Sequence, residues 1–350
     1  TDATDAEKHR LRAEALYQRA FEYLALVNIY ARHYHKETAA TDYGIPLITK
    51  DLVDQTYTRA TVDEVYKQIE DDLKEASKSL KEVPINLFHP YLGSLHSFYA
   101  RLYLYMGRYD DALTEAKEAL KLNDQLQDLR PYQTKDKTTW GRIVLPDGTP
   151  MLEKDDNPEA VFVRLQSGRV TIPVSKDFLA TFERNLPAGA TDQRRALFYA
   201  DDTVNMGRTD YFYGETCYIL YAYQNVGFSS VENMLIAAEC EARVGSKDNA
   251  MSYVNKLRDN RIKNNVALTA TDKDEALRIV LDERRREFAF TGFHRLIDLK
   301  RLNYEDKFKK TVTHTADGET FTLAPNDNRY IFPINQMILN YNPGMPQYER

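Results

Sequence analysis

Cysteine is scarce in this 350-residue sequence, and long apolar runs are missing. The two cysteines, Cys217 and Cys240, form no C-x-x-C pair, which excludes a zinc ribbon and a thioredoxin-type redox motif. Two cysteines cannot hold a chain of this length together, so they give no information on the redox compartment. Because no run of 18 apolar residues occurs, the sequence predicts no membrane-spanning helix.

The short motifs of common catalytic and nucleotide-binding sites are also missing. No G-x-x-x-x-G-K-[ST] or G-x-G-x-x-G loop is present to hold phosphates, and neither H-E-x-x-H nor G-x-S-x-G occurs. With 53 acidic residues, a carboxylate pair for glycoside hydrolysis is not excluded, but no pattern points to one. These motifs therefore point to no particular reaction, and no cofactor is predicted.

Two histidines, His33 and His35, are the residues that come nearest to a metal motif. On a helix, residues two apart point about 200° away from each other and cannot bind one ion, whereas on an extended loop they could. The alternative, which we favour, is a solvated helix end, so no metal is predicted. The net charge of −6 also argues against a protein that binds nucleic acid over its whole surface.

Helical periodicity is strong at both ends of the chain. Residues 6–32 carry apolar side chains at spacings of three and four, which predicts a helix that is buried on most sides. A second helix is expected to start at Thr61, because Thr61 and Glu64 have the spacing of a capping box. Further helices are predicted over 231–263 and 272–290.

Two segments have the pattern of helical hairpins. In residues 94–124, Gly107 marks a turn and small alanines follow, and residues 232–261 repeat the pattern more weakly around Gly245. This arrangement resembles tetratricopeptide repeats, but the two turn glycines are much farther apart than the ~34 residues of a tandem array. We infer that a long insert separates the hairpins.

The insert, about residues 124–230, is rich in turn residues and in short alternating runs such as AVFVRL, which are typical of brief strands. The predicted fold class is therefore mainly α: a tetratricopeptide-like scaffold with a loop-rich insert that carries short strands. We expect a single domain over residues 1–350, with the scaffold over 6–123 and 231–301 and a C-terminal loop segment over 302–350. Hairpins on both sides of the insert must pack together to bury their apolar faces.

The segment DERRREFAFTGFHRLIDLKR, residues 282–301, has six cationic and four acidic side chains. A helix turns about 100° per residue, so Arg284, Arg285 and Arg286 cannot form one basic face. Asp282 and Glu283 stand four and three residues before Arg286, at ion-pair spacing. We predict a buried ion network that joins two helices, with Arg284 or Arg285 buried against acidic partners.

The same segment resembles the C-terminal signature of SusD/RagB-like proteins, and other segments resemble that family in the same order. These are the first helix with DYGIPLIT, the segment RATVDEVYKQIEDDLKEASKSL, the segment NMLIAAECEARVG with VNKLRDNR, and the terminal YIFPINQMILNYNPG. The resemblance covers about residues 10–344. Thr291 stands where the family usually has Glu, and Asn335 replaces the second proline of a P-I-P motif. The signature positions that match are Glu283, Arg284, Arg285, Glu287, Gly292, Arg295, Asp298, Leu299 and Arg301.

The resemblance implies a non-catalytic surface lipoprotein of Bacteroidetes-type bacteria. Such a protein captures oligosaccharides for import through a partner TonB-dependent outer-membrane transporter and is held at the cell surface by an N-terminal lipid anchor. Members usually carry that anchor, with further chain, upstream of the first helix seen here. A peptide-capturing member of the family and a repeat-type protein–protein adaptor are the alternatives.

Aromatic side chains on the loops of the insert are the expected ligand platforms, because a sugar ring stacks its apolar face on an aromatic ring. Helix-face aromatics belong more often to the core. The family resemblance does not choose among these residues, since binding residues vary between members. The candidate ligand-binding residues are Trp140, Tyr132, Tyr211, Phe212, Tyr213, Arg208 and Asp210.

Overall fold

The structure, a computed structural model, describes residues 3–50, 57–134, 143–167, 172–201, 214–219 and 223–350. Helices dominate, as predicted. Their bounds in chain order are α1 (Asp5–Tyr30), α2 (Val62–Ala76), α3 (Leu92–Tyr105), α4 (Tyr109–Leu122), α5 (Lys176–Glu183), α6 (Gln193–Phe198), α7 (Ser230–Arg243), α8 (Lys247–Arg258), α9 (Lys273–Glu287), α10 (His294–Leu302) and α11 (Gln336–Tyr341). Short 3-10 turns lie at Lys154–Asp156 and Asn328–Tyr330.

The strands are short and pair only in antiparallel fashion among the described residues. The pairs are β1–β2, β3–β10, β4–β9, β6–β11 and β12–β13, and β5, β8 and β7 form a three-stranded sheet in that order. The bounds are β1 (Gln133–Thr134), β2 (Ile143–Val144), β3 (Ala160–Phe162), β4 (Leu165–Ser167), β5 (Ile172–Pro173), β6 (Thr191–Asp192), β7 (Tyr199–Asp201), β8 (Thr216–Tyr218), β9 (Tyr223–Asn225), β10 (Phe228–Ser229), β11 (Ile262–Lys263), β12 (Val312–Ala316) and β13 (Glu319–Leu323).

The chain divides into two compact units. Unit 1 consists of Thr1–Glu82, Tyr105–Gly107 and Phe293–Arg350, and unit 2 consists of Val83–Leu104 and Arg108–Gly292. The expectation of a single domain stays a prediction. Within the described residues, no helix is both long enough and apolar enough to cross a membrane.

Unit 1 is built on α1 and α2, which pack against each other. Both helices begin with a capping box, at Thr4 and at Thr61, and the second of these confirms the predicted start of α2. Arg19 of α1 donates to both carboxylate oxygens of Asp72 in α2, at 2.7 and 2.6 Å, so a paired charge lies beside the apolar contacts of the two helices.

The C-terminal part of unit 1 differs from the loop that the sequence analysis predicts. Two five-residue strands, β12 and β13, form a hairpin that turns at Asp317 and Gly318, which both have positive φ. Helix α11 follows. Asp-Gly between two strand-like runs is a strong signal for a type I′ hairpin. The apolar pattern there is weak because both strands are largely solvent-exposed, so periodicity alone does not reveal them.

Unit 2 surrounds α7, which is buried along almost its whole length and contacts α4, α8 and α9. The hairpins α3–α4 and α7–α8 lie where the sequence predicts them, with Gly107 at the first turn in a left-handed conformation of φ 72°. Arg101 of α3 donates to both oxygens of Glu232 in α7, at 2.7 and 2.6 Å, and is buried. The short strands of the insert confirm the interpretation of the alternating runs.

Candidate functional site

A cleft of about 180 Å³ lies in unit 2, between the loop-rich insert and the C-terminal end of α9. Its walls come from strands β7, β8 and β9, from the 3-10 turn at Lys154–Asp156, and from the segment that follows α9. Many of the lining side chains are polar, so the cleft suits a ligand that forms hydrogen bonds. The pairs β3–β10 and β4–β9 join parts of the insert that are about 60 residues apart in sequence, and they fix these walls.

Two tyrosines, Tyr199 and Tyr218, face each other as partners across β7 and β8 and line the cleft. Their rings pack edge to face at 5.5 Å, within an aromatic cluster that includes Phe178 and Phe182. Burial raises the pKa of both phenols, so both tyrosines stay neutral in the physiological range. The cleft wall is therefore aromatic and uncharged at this point.

Gln224 places an amide at the same wall. Its Nε2–H donates to the Tyr218 hydroxyl at 2.5 Å, and only 9% of the residue is exposed. Within the described ranges, its Oε1 atom is buried and has no hydrogen-bond partner. An unpaired buried amide carbonyl costs about 1–3 kcal/mol, so this polar residue is held in the wall at some cost in stability.

Another lining residue, Arg261, forms ion pairs with two acidic side chains that also line the cleft. Its guanidinium contacts Glu159 at 2.6 Å and Glu287 at 2.8 Å, and Arg261 is 1% exposed. It also donates to the carbonyl oxygen of Gln127 at 2.6 Å. The two carboxylates share one cation, so neither is a free acid or base in the cleft.

The pKa values of these two acids are shifted in opposite directions. Burial raises the pKa of Glu159, and repulsion from Glu287 adds to this, although Arg261 opposes it. For Glu287, burial by itself would raise the pKa. The attraction of the guanidinium groups of Arg261 and Arg194 is stronger and holds the pKa below its ordinary value.

The network continues into α9 at Glu283, which is fully buried. Its carboxylate accepts from Arg194 of α6 at 2.6 Å, from Arg258 of α8 at 3.4 Å, and from Arg286 one turn further along α9. Arg194 also contacts Glu287 at 2.8 Å. The described part of this buried network contains four cations and four acids: Arg194, Arg258, Arg261 and Arg286 with Glu159, Asp192, Glu283 and Glu287.

This arrangement confirms the predicted ion network in the arginine run, including the pair of Glu283 and Arg286 at a spacing of three residues. Arg286 forms the buried ion pair with Glu283, and it also donates to the Thr181 carbonyl oxygen. Arg285 contacts Asp177 at 2.7 Å near the surface. Arg284 is 1% exposed, as expected, and its guanidinium lies 5.2 Å from the ring of Phe288.

The residues just after α9 fix the strands of the insert. Phe290 has a φ of 61°, which is unusual for a bulky residue, and its ring stacks on Tyr218 at 4.6 Å. The backbone N–H of Gly292 donates to Oε1 of Gln166 in β4 at 2.9 Å. The first half of the signature therefore acts as scaffold that holds the cleft, and the cost of the left-handed Phe290 is offset by its aromatic contacts.

Of the predicted ligand residues, the structure describes Tyr132 only. It is 7% exposed and packs with Leu129, Ile143 and Leu197, so its ring belongs to a core cluster beside the cleft. The other predicted residues lie outside the described part of the chain, and their role stays a prediction: Trp140, Arg208, Asp210, Tyr211, Phe212 and Tyr213.

The ends of these two undescribed segments are nevertheless fixed in the structure. Strands β1 and β2, which pair Thr134 with Ile143, flank residues 135–142. Strands β7 and β8, which pair Asp201 with Thr216, precede and follow residues 202–213. Tyr199 and Tyr218 stand in this second pair, so the segment with five of the predicted residues is anchored on strands that line the cleft.

The two histidines differ from the solvated helix end that we favoured. Both follow α1 in a segment of unit 1 without regular secondary structure, where His33 is 5% exposed and the ring of His35 stacks on Tyr304 at 4.5 Å. Burial and the nearby cations Lys300 and Arg301 lower the pKa of His33 to about 3. Within the described ranges, no group of three or more His, Cys, Asp or Glu residues is placed to hold a metal ion.

Sequence reasoning missed Gln224 and the pair Tyr199 and Tyr218 as lining residues. Single polar residues in short strands carry no local signal for a cleft, because the walls arise from strand pairs that are distant in sequence. The spacing of Tyr218 and Gln224 within an aromatic, polar run was visible, but it predicts neither burial nor partner.

Two family models match the sequence. A SusD-like model, described as starch-binding and associating with the outer membrane, matches residues 1–104. A SusD family model matches residues 232–350. Among curated proteins, none matches at a significant level.

Several solved structures are similar over nearly the whole chain. A SusD superfamily protein from Bacteroides thetaiotaomicron has 20% identity and a TM-score of 0.77, with 100% of this chain and 80% of that chain covered. A SusD-like carbohydrate binding protein from Bacteroides vulgatus has 20% identity and a TM-score of 0.68, with 99% and 78% covered. A SusD-like protein from Bacteroides fragilis has 17% identity and a TM-score of 0.69, with 99% and 80% covered. At these identities the likeness shows the fold, and it agrees with the predicted helical scaffold.

Proposed function

Because this chain belongs to the SusD/RagB family, we propose that it is a non-catalytic binding protein that captures oligosaccharides at the bacterial cell surface. In this proposal it delivers them to a partner TonB-dependent transporter of the outer membrane, and an N-terminal lipid anchor holds it there. The observation that supports the ligand class most directly is the cleft of unit 2, in which the uncharged groups of Tyr199, Tyr218 and Gln224 stand together.

These groups match the chemistry of a sugar. A pyranose ring has apolar C–H faces, which suit an aromatic wall, and hydroxyl groups, which need both donors and acceptors nearby. Polar side chains of the lining, among them Asn157, Asn225 and Ser229, are of the types that supply donors and acceptors. The loop aromatics predicted from the sequence, Trp140 and Tyr211–Tyr213, stay candidates for further stacking contacts with such a ligand.

A binding role is also supported by the state of the acids in the cleft. Glycoside hydrolysis by the usual route needs one carboxylic acid and one carboxylate, each free to act on the substrate. Glu159 and Glu287 are instead both bound to Arg261. We expect no cleavage products when the protein is incubated with glycans.

The test is a panel of oligosaccharides and peptides measured by isothermal titration calorimetry. We expect saturable binding of at least one oligosaccharide, and Trp140→Ala should weaken it about ten-fold or more, since stacking on an aromatic ring and the area it buries contribute roughly 1–3 kcal/mol. Tyr341→Ala is the control, because Tyr341 is 80% exposed and belongs to unit 1.

Three outcomes would count against the proposal. Binding of peptides without glycans would favour a peptide-capturing member, and binding of neither would favour the adaptor alternative. Glycan affinity that is unchanged by Trp140→Ala, with the variant folded by circular dichroism, would remove Trp140 from the site.

A further inference from the structure

The cleft of unit 2 is small, and its inner end is closed by buried charged groups. Its volume of about 180 Å³ corresponds to roughly six water molecules at ~30 Å³ each, which is less than the ~300–1,000 Å³ of pockets for drug-sized ligands. Arg261, paired with Glu159 and Glu287, lines the inner end and is 1% exposed. A single sugar ring suits a space of this size, whereas the middle of a glycan chain needs an exit on both sides.

Four described aromatic side chains line the cleft, and they differ in how much of their surface a ligand can reach. Tyr199 and Tyr218 are buried, at 1% and 4% exposure, and belong to the aromatic cluster behind the wall. Phe198, the last residue of α6, and Phe288, the residue after α9, line the same cleft and are only partly buried. The accessible aromatic surface of the cleft therefore comes from Phe198 and Phe288, and the two tyrosines support the wall.

Two polar side chains of the lining, Asn157 and Thr291, are also partly exposed. Oδ1 of Asn157 accepts from the backbone N–H of Glu159 at 2.9 Å, so its Nδ2 group is left as a donor. The structure gives this Nδ2 group and the Thr291 hydroxyl no hydrogen-bond partner in the described part of the chain. Because both residues keep contact with solvent, a ligand in the cleft can reach these groups.

We propose that the cleft binds a glycan by its end, with one terminal sugar ring inserted and the rest of the chain outside. The apolar face of this ring packs on Phe198 or Phe288. The Asn157 amide donates to one sugar oxygen, and the Thr291 hydroxyl binds a sugar hydroxyl as donor or acceptor. This inference rests on the function proposed above, which requires only that the protein binds oligosaccharides.

The test uses maltohexaose, cellohexaose, xylohexaose and mannohexaose as probes, with calorimetry on the whole chain. A hexaose that is held by its terminal ring should be displaced by the matching free glucose, xylose or mannose. The monosaccharide is added at about 50 mM, well above the millimolar Kd expected of so small a molecule. For maltohexaose, α-cyclodextrin is the matched comparison, because it contains the same glucose units without a chain end, and we expect it not to compete.

Substitutions in the lining test whether the ring lies in the cleft. Phe198→Leu and Phe288→Leu keep an apolar side chain but remove the flat ring, and Thr291→Val removes one hydroxyl group. Each should weaken hexaose binding about two- to ten-fold. Phe321→Leu and Thr313→Val are the matched controls, because both residues are exposed on the β12–β13 hairpin of unit 1. Circular dichroism shows whether each variant folds, and Thr291→Val tests the site even if a phenylalanine variant does not fold.

The outcomes separate this inference from the function on which it rests. Displacement by the monosaccharide, together with weaker binding of the cleft variants, supports binding by the chain end. A hexaose that binds but that its monosaccharide does not displace, or α-cyclodextrin that competes as well as maltohexaose, would overturn the inference and leave the proposed function standing. Hexaose binding that all three cleft variants leave unchanged would also overturn it, since the ligand would then lie elsewhere. No binding of any hexaose or monosaccharide would count against both.

Discussion

Glu283→Gln is the substitution whose effect the buried ion network predicts most sharply. Glu283 is 0% exposed and accepts from Arg194 at 2.6 Å, from Arg258 at 3.4 Å and from Arg286. The amide keeps the shape of the side chain but removes the negative charge, and it leaves three buried guanidinium groups with one acid fewer. Removing one partner of a buried ion pair costs about 3–5 kcal/mol, and we expect about 3 kcal/mol because one hydrogen-bond acceptor is kept.

The matched control is Asp282→Asn, the same chemical change one residue earlier in α9. Asp282 contacts Arg184 at 2.9 Å, with the two side chains 21% and 49% exposed. An exposed pair of this kind contributes at most about 1 kcal/mol. The neighbouring positions therefore differ mainly in burial, and so should the effects of the two substitutions.

Urea unfolding, followed by circular dichroism at pH 7, measures the unfolding free energies of the two variants. With a slope of about 3 kcal/mol per molar urea, Glu283→Gln should lower the midpoint by about 1 M and Asp282→Asn by about 0.3 M or less. Equal midpoints for the two variants would refute the view that burial of the network gives Glu283 its importance.

The same substitution should change how stability depends on pH. Although burial opposes it, the guanidinium groups of Arg286 and Arg194 hold the pKa of Glu283 below its ordinary value of 4.5. The folded pKa is depressed, so the stabilisation is complete above about pH 4.5 and is lost as the pH falls towards the lowered value. The difference in unfolding free energy between the wild-type protein and Glu283→Gln should therefore become smaller as the pH falls. A gap that stays constant down to about pH 3 would contradict the assigned direction of the shift.

Three further predictions concern local features. Gly227→Ala should destabilise by about 3 kcal/mol in urea unfolding, because an added Cβ would lie 2.0 Å from the carbonyl oxygen of Phe162. His33→Gln should flatten the acid side of the stability curve: with a folded pKa of about 3 against 6.5 unfolded, His33 makes stability rise with pH between these values by up to about 1.4 kcal/mol per unit. Thr61→Ala removes the side-chain acceptor of the α2 cap and should cost about 1 kcal/mol, visible as a lower melting temperature.

Each of these has its own control. Gly148→Ala meets nothing within 4 Å at a φ of 89°, so it should cost only about 1 kcal/mol of backbone strain, and an equal loss for Gly227→Ala would argue against the clash. His314 lies on an exposed strand, so His314→Gln is the same substitution at an unburied position and serves as the control for His33→Gln. Thr61→Ser keeps the hydroxyl and should restore most of the stability that Thr61→Ala loses; no recovery would show that the cap contributes little.

Much of the scaffold follows from local sequence features. A capping box at Thr61, turn glycines at Gly107 and Gly245, and small residues at helical spacing act over a few residues, so they can be read along the chain. The order of the family-like segments indicates which helices are neighbours in a known fold, and the family models that match both ends of the chain agree with this order.

The cleft could not be predicted in this way. Its walls depend on the pairing of β3 with β10 and of β4 with β9, and no local pattern specifies a partner some 60 residues away. Whether a polar residue such as Gln224 is buried with a free carbonyl depends on every element packed around it. The sequence places candidate ligand residues on the insert, but it does not show the groups that line the cleft.

The arginine run, Arg284–Arg286, shows most clearly what the sequence determines and what the tertiary structure adds. The sequence by itself determined that residues 282–287 carry mixed charge on a helix, because side-chain directions follow from helical geometry, and that they are typical of a scaffold. The spacing of three residues also indicated the pair of Glu283 with Arg286, which the structure contains. Only the tertiary structure decided that Glu283 is buried and that Arg194 and Arg258 converge on it, because these two arginines come from distant parts of the chain.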